Sequence, residues 1–181
     1  MPHVIERASS GRAKCRGCGT KIAAGEWRFG ENLPNPFDDK GGEMTHWFHV
    51  PCAAYRRPEP FLEVLGTTTV PIENREALEA AAGDGVAHHR LPRVGQAERA
   101  SSGRATCRAC RTPIEKDRWR LALVFYEDGR FAPSGFIHVP CAGPYLESTD
   151  VLARIRHFSP ALTEADLAEI AADLLTPPPS V

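Results

Sequence analysis

A chain of 181 residues, 42% hydrophobic but only 8% aromatic, has material for one ordinary domain or two small ones and no obvious single large core. Its formal charge of −1 excludes a uniformly basic polyanion binder, and no apolar run reaches the length that spans a membrane. The opening Met1-Pro2-His3-Val4-Ile5-Glu6-Arg7 lacks the apolar stretch of a secretory signal, so the chain is expected to be intracellular, where paired cysteines read as metal ligands before disulfides.

In chain order, Glu6-Arg7-Ala8-Ser9-Ser10-Gly11-Arg12-Ala13-Lys14-Cys15-Arg16-Gly17-Cys18 leads into a turn over Lys14–Ile22, in which Gly17 and Gly19 let two thiolates face one metal. Glu26–Phe29 reads as a strand and Pro34–Gly42 as a long loop, followed by a strand carrying His49 and Cys52. Glu73–Ala82 reads as a helix and residues 83–95, with Gly83, Gly85 and Pro92, as a linker. The pattern then starts again. Glu98–Cys110 repeats Glu6–Cys18 with 11 of 13 positions identical, Trp119-Arg120 repeats Trp27-Arg28, and His138-Val139-Pro140-Cys141 repeats His49-Val50-Pro51-Cys52. Arg118–Phe125 reads as a buried strand, and Glu127-Asp128-Gly129-Arg130 as a hairpin turn between Tyr126 and Phe131. Thr163 caps a helix to Leu175 with an apolar stripe at Leu167, Ile170, Leu174 and Leu175. Pro177-Pro178-Pro179 forms a stiff tail.

The duplication predicts an α+β chain of two modules, residues 1–91 and 92–181, each a short antiparallel sheet with a C-terminal helix, stapled by zinc because the cores are thin. It also acts as an internal control on ligands. Cys15, Cys18, His49 and Cys52 all recur, as Cys107, Cys110, His138 and Cys141, which accounts for all six cysteines. His46 lies close to the first set, but Gly135 stands at its place in the second. C-x2-C with H-x2-C suits a tetrahedral zinc, so two structural zinc ions per chain are expected. Three disulfides would leave the repeated histidine unexplained. A catalytic zinc keeps an open position and a nearby base, and a thioredoxin-like pair would leave H-x2-C without a role.

Charge is segregated along the chain. Residues 1–57 and 93–147 each hold nine Lys/Arg against six Asp/Glu, whereas 58–92 hold two against six and 148–181 two against five. Basic blocks of this kind suit phosphate, for which Arg is the natural bidentate donor.

The combination Ser-Gly-Arg-Ala-x-Cys-x-x-Cys, Trp-Arg, then His-x-x-Cys after Thr45-His46-Trp47-Phe48 resembles the poly(ADP-ribose) polymerase-type zinc finger, which also occurs in a nuclear DNA ligase. The resemblance covers residues 3–80 and 95–175. It implies non-enzymatic recognition of DNA strand breaks by structure and not by base sequence, with a damaged or nicked duplex as partner, a repair protein as a further one, and neither membrane nor small-molecule substrate. Its phosphate contacts fall on Arg12, Arg28, Arg104 and Arg120, and its base-stacking positions on Phe37, Met44, Tyr126 and Phe131. The chain departs from the pattern in its longer first loop, with Asp38, Asp39 and Glu43, and in Glu127-Asp128 of the second; those carboxylates would repel a phosphate they faced. Taken without the resemblance, Arg28 and Arg120 also read as strand-surface residues, Phe37 and Phe131 as core, and Trp27 and Trp119 as core. Lys14, Arg16 and Arg108 read as solvated or as nonspecific phosphate attraction. The alternative function is a zinc-stabilised protein-interaction module without DNA binding. The Ala, Arg and Pro bias points to a GC-rich, bacterial genome, which would place the protein in the cytoplasm or nucleoid; a eukaryotic source would place it in the nucleus.

Overall fold

Short apolar-in, polar-out strands need a partner sheet edge and a cover, and each half of the chain supplies both. A computed structural model describes residues 2–35, 38, 41–148 and 151–179. The chain divides into two compact units, Met1–Ala87 and His88–Val181, setting aside the turn Asp128–Arg130.

In the first unit, β1 (Val4–Arg7), β2 (Trp27–Pro34) and β3 (Glu43–His49) form an antiparallel sheet in that order. The register sets Ile5 opposite Phe29 and Phe29 opposite Phe48, so one face of the sheet is apolar. Phe29 packs its ring 6.1 Å from Phe48 and 6.0 Å from Phe61, and all three are fully buried. Phe61 comes from α2 (Pro58–Leu65), which with α1 (Val50–Arg56) covers that face, and α3 (Arg75–Ala87) packs on both helices. The strand ends at His49, where Pro51 occupies the first turn of α1, a position at which its missing N–H costs nothing. Cys52 is therefore on a helix and not on the strand expected from the sequence. Helix α3 also runs on into the expected linker. Ala82 and Gly85 are buried in it, so packing against α1 and α2 overrides the weak helix propensity of Gly83 and Gly85.

The second unit repeats the plan. A 3-10 turn (Leu91–Arg93) leads into β4 (Val94–Arg99), which pairs with β5 (Trp119–Glu127), and β6 (Arg130–His138) completes the sheet. The hairpin turn is where the sequence suggested it, with Asp128 at φ 50° and Gly129 at φ 75°, the left-handed pair that matches strand twist. A 3-10 turn (Val139–Cys141) replaces the start of α1, followed by α4 (Ala142–Leu146), α5 (Leu152–Phe158) and α6 (Glu164–Leu174). Thr163 caps α6 in a reciprocal box: Asp166 N–H donates to Thr163 Oγ1 at 3.2 Å and Thr163 N–H to Asp166 Oδ2 at 2.9 Å. Leu121, Leu123, Ile137, Leu146, Ile155 and Ile170 form the buried centre. Among the described residues no helix is long and apolar enough to cross a membrane.

Candidate metal centres and the basic face around them

Each centre is built from a tight turn and the end of a strand. In the first, Cys15 N–H donates to Thr20 O and Gly19 N–H to Cys15 O, both at 2.8 Å, which folds Cys15 and Cys18 onto one side. Gly19 has φ 78°, and its counterpart Arg111 takes the same left-handed region at φ 64°, the conformational cost falling on a non-glycine residue. Arg16 N–H donates to Trp47 O at 2.9 Å and Arg108 N–H to Phe136 O at 2.9 Å, tying each turn to the strand that carries the histidine.

The ligand atoms of Cys15, Cys18, His49 and Cys52 all lie within 4.8 Å of one another, as do those of Cys107, Cys110, His138 and Cys141. His49 Nδ1 is 3.4 Å from Cys18 Sγ and 3.9 Å from Cys52 Sγ, and His138 Nδ1 is 3.4 Å from Cys110 Sγ and 3.9 Å from Cys141 Sγ. A tetrahedron with Zn–S near 2.3 Å and Zn–N near 2.0–2.1 Å has S···N edges of about 3.5 Å, so the donor set fits zinc. The outer nitrogen is also accounted for. Nε2 lies 3.3 Å from Lys21 O in the first unit and 3.2 Å from Pro113 O in the second. A carbonyl only accepts, so Nε2 carries the proton and Nδ1 is left to bind metal. Thr20 and Thr112 hydroxyls lie 3.2 and 3.1 Å from Cys18 and Cys110 Sγ. Four filled positions leave no open coordination site, so the zinc would be structural.

Left to themselves, these groups cannot all shed their protons. Hydrogen bonds with Cys15 and then Cys52 hold the Cys18 thiol far below its usual range, while those with Cys15 and then Cys18 push Cys52 far above it. Hydrogen bonds to Cys15 and Cys18 raise His49 to about 10. In the second unit burial pushes Cys141 up. At Cys110 burial works the same way but is outweighed by hydrogen bonds, those of Thr112 foremost, which bring it to about 6. A dication relieves this crowding by taking the place of the protons. His46 stands outside the first cluster: it is 3% exposed, on β3 opposite Glu31. Burial first, and then the charge of Arg16, hold its imidazole below the usual range.

The expected DNA contacts fall into different surroundings. Arg12 and Arg104 are exposed just before the two cysteine turns. Arg28 and Arg120 are 7% and 8% exposed, and their placement differs from that of free phosphate donors. Arg28 donates to Glu6 Oε1 through Nη2 at 2.6 Å and lies 3.5 Å over the Trp47 ring. Arg120 pairs with Glu98 in the same way and lies 3.7 Å over Phe136. Met44 is half-buried opposite Leu33, and Tyr126 and Phe131 are half-buried with ring centroids 4.8 Å apart. Phe37 lies outside the described residues. Phe125, read from the sequence as part of a buried strand, is instead 51% exposed on β5 with Arg93 over its ring at 5.6 Å, because the strand alternates between half-buried and exposed positions beyond Leu123.

Two Cys3His clusters on short antiparallel sheets define a pair of zinc-stapled modules. Residues 6–84 match the family described as the poly(ADP-ribose) polymerase and DNA-ligase Zn-finger region. Residues 6–84 are therefore a poly(ADP-ribose) polymerase-type zinc finger, and the second Cys3His module repeats its ligand set. The chain is 28% identical over 144 residues to poly [ADP-ribose] polymerase of Sarcophaga peregrina, covering 70% of this chain and 14% of that protein. It is 30% identical over 135 residues to poly [ADP-ribose] polymerase 1 of Gallus gallus, covering 67% and 13%. A stretch of 52 residues is 42% identical to poly [ADP-ribose] polymerase 1 of Caenorhabditis elegans. The chain thus matches about one-seventh of the length of the first two polymerases and 5% of the third, and only the zinc-finger region is involved. These relatives are animal proteins and lend no support to the bacterial source suggested by composition.

Proposed function

We propose that the protein is a non-enzymatic, zinc-dependent binder of broken double-stranded DNA, acting in the nucleus. The observation that carries this reading is the composition of the cysteine turns. From Ser9 to Gly25 there is no acidic residue, and Arg12, Lys14, Arg16 and Lys21 are all exposed. From Ser101 to Ile114 there is again none, and Arg104, Arg108 and Arg111 are exposed. A zinc-locked turn that offers cations without carboxylates is a preorganised seat for a phosphate backbone. Kinship with the zinc-finger region of polymerases and a DNA ligase supports the same partner. Preference for a break needs more than charge. Met44, Tyr126 and Phe131, half-buried on the strands that follow these turns, are apolar groups of the kind that cover a base pair left open at a nick, and Phe37 is the fourth candidate. Arg28 and Arg120 would reach phosphate only by exchanging Glu6 and Glu98 for it.

The test is the salt dependence of binding to a labelled nicked duplex. Affinity falls as salt rises, and Arg12→Ala and Arg104→Ala each weaken binding and flatten the log–log slope by about one unit. Slopes identical to wild type would remove these arginines from the interface, and no binding to any DNA form would leave the protein-interaction module.

A further inference from the structure

The duplication places two versions of one side-chain constellation on record, at the end of β1 and at the end of β4. In the second unit, Arg99 lies over the Trp119 ring, 4.2 Å from its centroid. Its Nη1 donates to Asp117 O at 3.1 Å, and its Nη2 donates to Glu169 Oε2 at 2.5 Å. Trp119 Nε1 donates to that same oxygen at 3.0 Å. One anionic oxygen thus receives a guanidinium and an indole N–H together. Those two bonds, Trp119's first, hold the Glu169 carboxyl below its usual range. Glu169 belongs to α6 and, with Asp173 of the same helix and Arg118, lines a cleft of about 270 Å³ beside the pair.

The first unit has the same two donors in the same relation. Arg7 lies 4.5 Å over Trp27, and its Nη1 donates at 2.6 Å to the carbonyl of Gly25, the counterpart of Asp117. Here α3 packs on α1 and α2, and among the described residues no helix carboxylate is paired with Arg7 or Trp27. The two nearest carboxylates in sequence are engaged elsewhere: Glu6 accepts from Arg28, and Glu26 accepts from Ala23 N–H at 2.9 Å and faces His49 Nε2 at 3.8 Å. Among the described residues no carboxylate stands to Arg7 and Trp27 as Glu169 stands to Arg99 and Trp119.

We propose that Arg7 Nη2 and Trp27 Nε1 form a binding site for a phosphodiester oxygen of DNA, the site that Glu169 fills from within the second unit. The inference rests on the DNA-binding reading and deepens it, since it makes the fingers unequal at this edge: open in the first, closed by its own helix in the second. A phosphate oxygen and a carboxylate oxygen accept the same pair of charge-assisted and neutral donors, so the intramolecular anion reports the chemistry of the intermolecular one.

The experiment follows the indole N–H signals of Trp27, Trp47 and Trp119 by NMR in the zinc-loaded chain, titrated with a nicked duplex and, separately, with inorganic phosphate. Both titrations should move the Trp27 signal and leave Trp119 in place, and Arg7→Ala should abolish the Trp27 response. Arg7→Ala should weaken duplex binding roughly threefold to tenfold, whereas Arg99→Ala changes it less than about twofold. Glu169→Gln, which removes charge and keeps size, should make Trp119 respond as Trp27 does, with the zinc content confirming that the fold survives. Duplex binding with Trp27 unmoved overturns the site and spares the DNA reading. No duplex binding but a Trp27 shift with phosphate supports the anion site and overturns only the DNA reading. Equal responses of Trp27 and Trp119 in the unsubstituted protein overturn the proposed inequality.

Discussion

The two units hold their metals alike and their cores differently. The His Nδ1 distances to the flanking sulfurs are the same in both, 3.4 and 3.9 Å, and both histidines lock their outer nitrogen on a turn carbonyl. Behind the ligands the resemblance fades. Phe29 of the first unit corresponds to Leu121 of the second, Phe48 to Ile137, and the buried carboxylate Glu31 to Leu123. Glu31 is 1% exposed and accepts both Nε and Nη2 of Arg57, at 2.9 and 2.5 Å. A four-ligand shell fixes angles and distances to within tenths of an ångström. A core requires only that volume and polarity be satisfied, so after duplication the shell stayed and the cores diverged.

The largest break in this comparison comes from a ligand. Cys52→Ser should unfold the first unit and leave the second folded, lowering metal content from two zinc ions to one, since structural zinc supplies on the order of 10 kcal/mol per site. Elemental analysis of fresh reduced protein checks it; one zinc or none in the unsubstituted chain would defeat the duplicated-site account. Next in size is Arg57→Ala, which leaves Glu31 buried without its guanidinium and should cost about 3–5 kcal/mol in chemical denaturation of the first unit. The double change Glu31→Leu with Arg57→Leu, bringing the strand nearer to the second unit's Leu123, should recover most of that loss. Smallest is His46→Ala, which should keep both zinc ions where His49→Ala loses one. Burial holds His46 neutral in the fold, so protonation favours the unfolded chain: its stabilisation is full above pH 6.5 and erodes as pH falls below that value. His46→Ala should therefore lose less stability than the unsubstituted protein between pH 7.5 and pH 5.5 (about one unit either side of a free imidazole).

The metal centres were legible because the chain carries its own control: what recurs with spacing intact is ligand, and His46, which does not recur, is not part of the cluster. The hairpin at Asp128-Gly129 was legible because its backbone needs residues that tolerate positive φ. Strands β1 and β4 were not. Each is short, and β1 offers only Ile5 to the core, too little for periodicity to register. Missing them hid Glu6 and Glu98, and with them the reason Arg28 and Arg120 turn inward. Helices α1 and α4 were masked by proline, which reads as a breaker unless it is placed in a first turn. The Arg7–Trp27 and Arg99–Trp119 pairs were invisible for the same reason: the cross-strand register that makes them neighbours exists only once β1 and β4 are in the sheet.

Break recognition itself is tested most directly with one circle in two forms. The zinc-loaded protein is offered a closed duplex circle and the same circle carrying a single nick, with affinity measured by competition at fixed salt. Backbone charge is the same in both, so attraction by Arg12, Arg104 and their neighbours cannot separate them. The nicked form should bind more tightly, and Phe131→Ala should shrink the difference while leaving the salt slope nearly unchanged. Equal affinity for the two circles in the unsubstituted protein would contradict recognition of the break and leave only a general affinity for DNA.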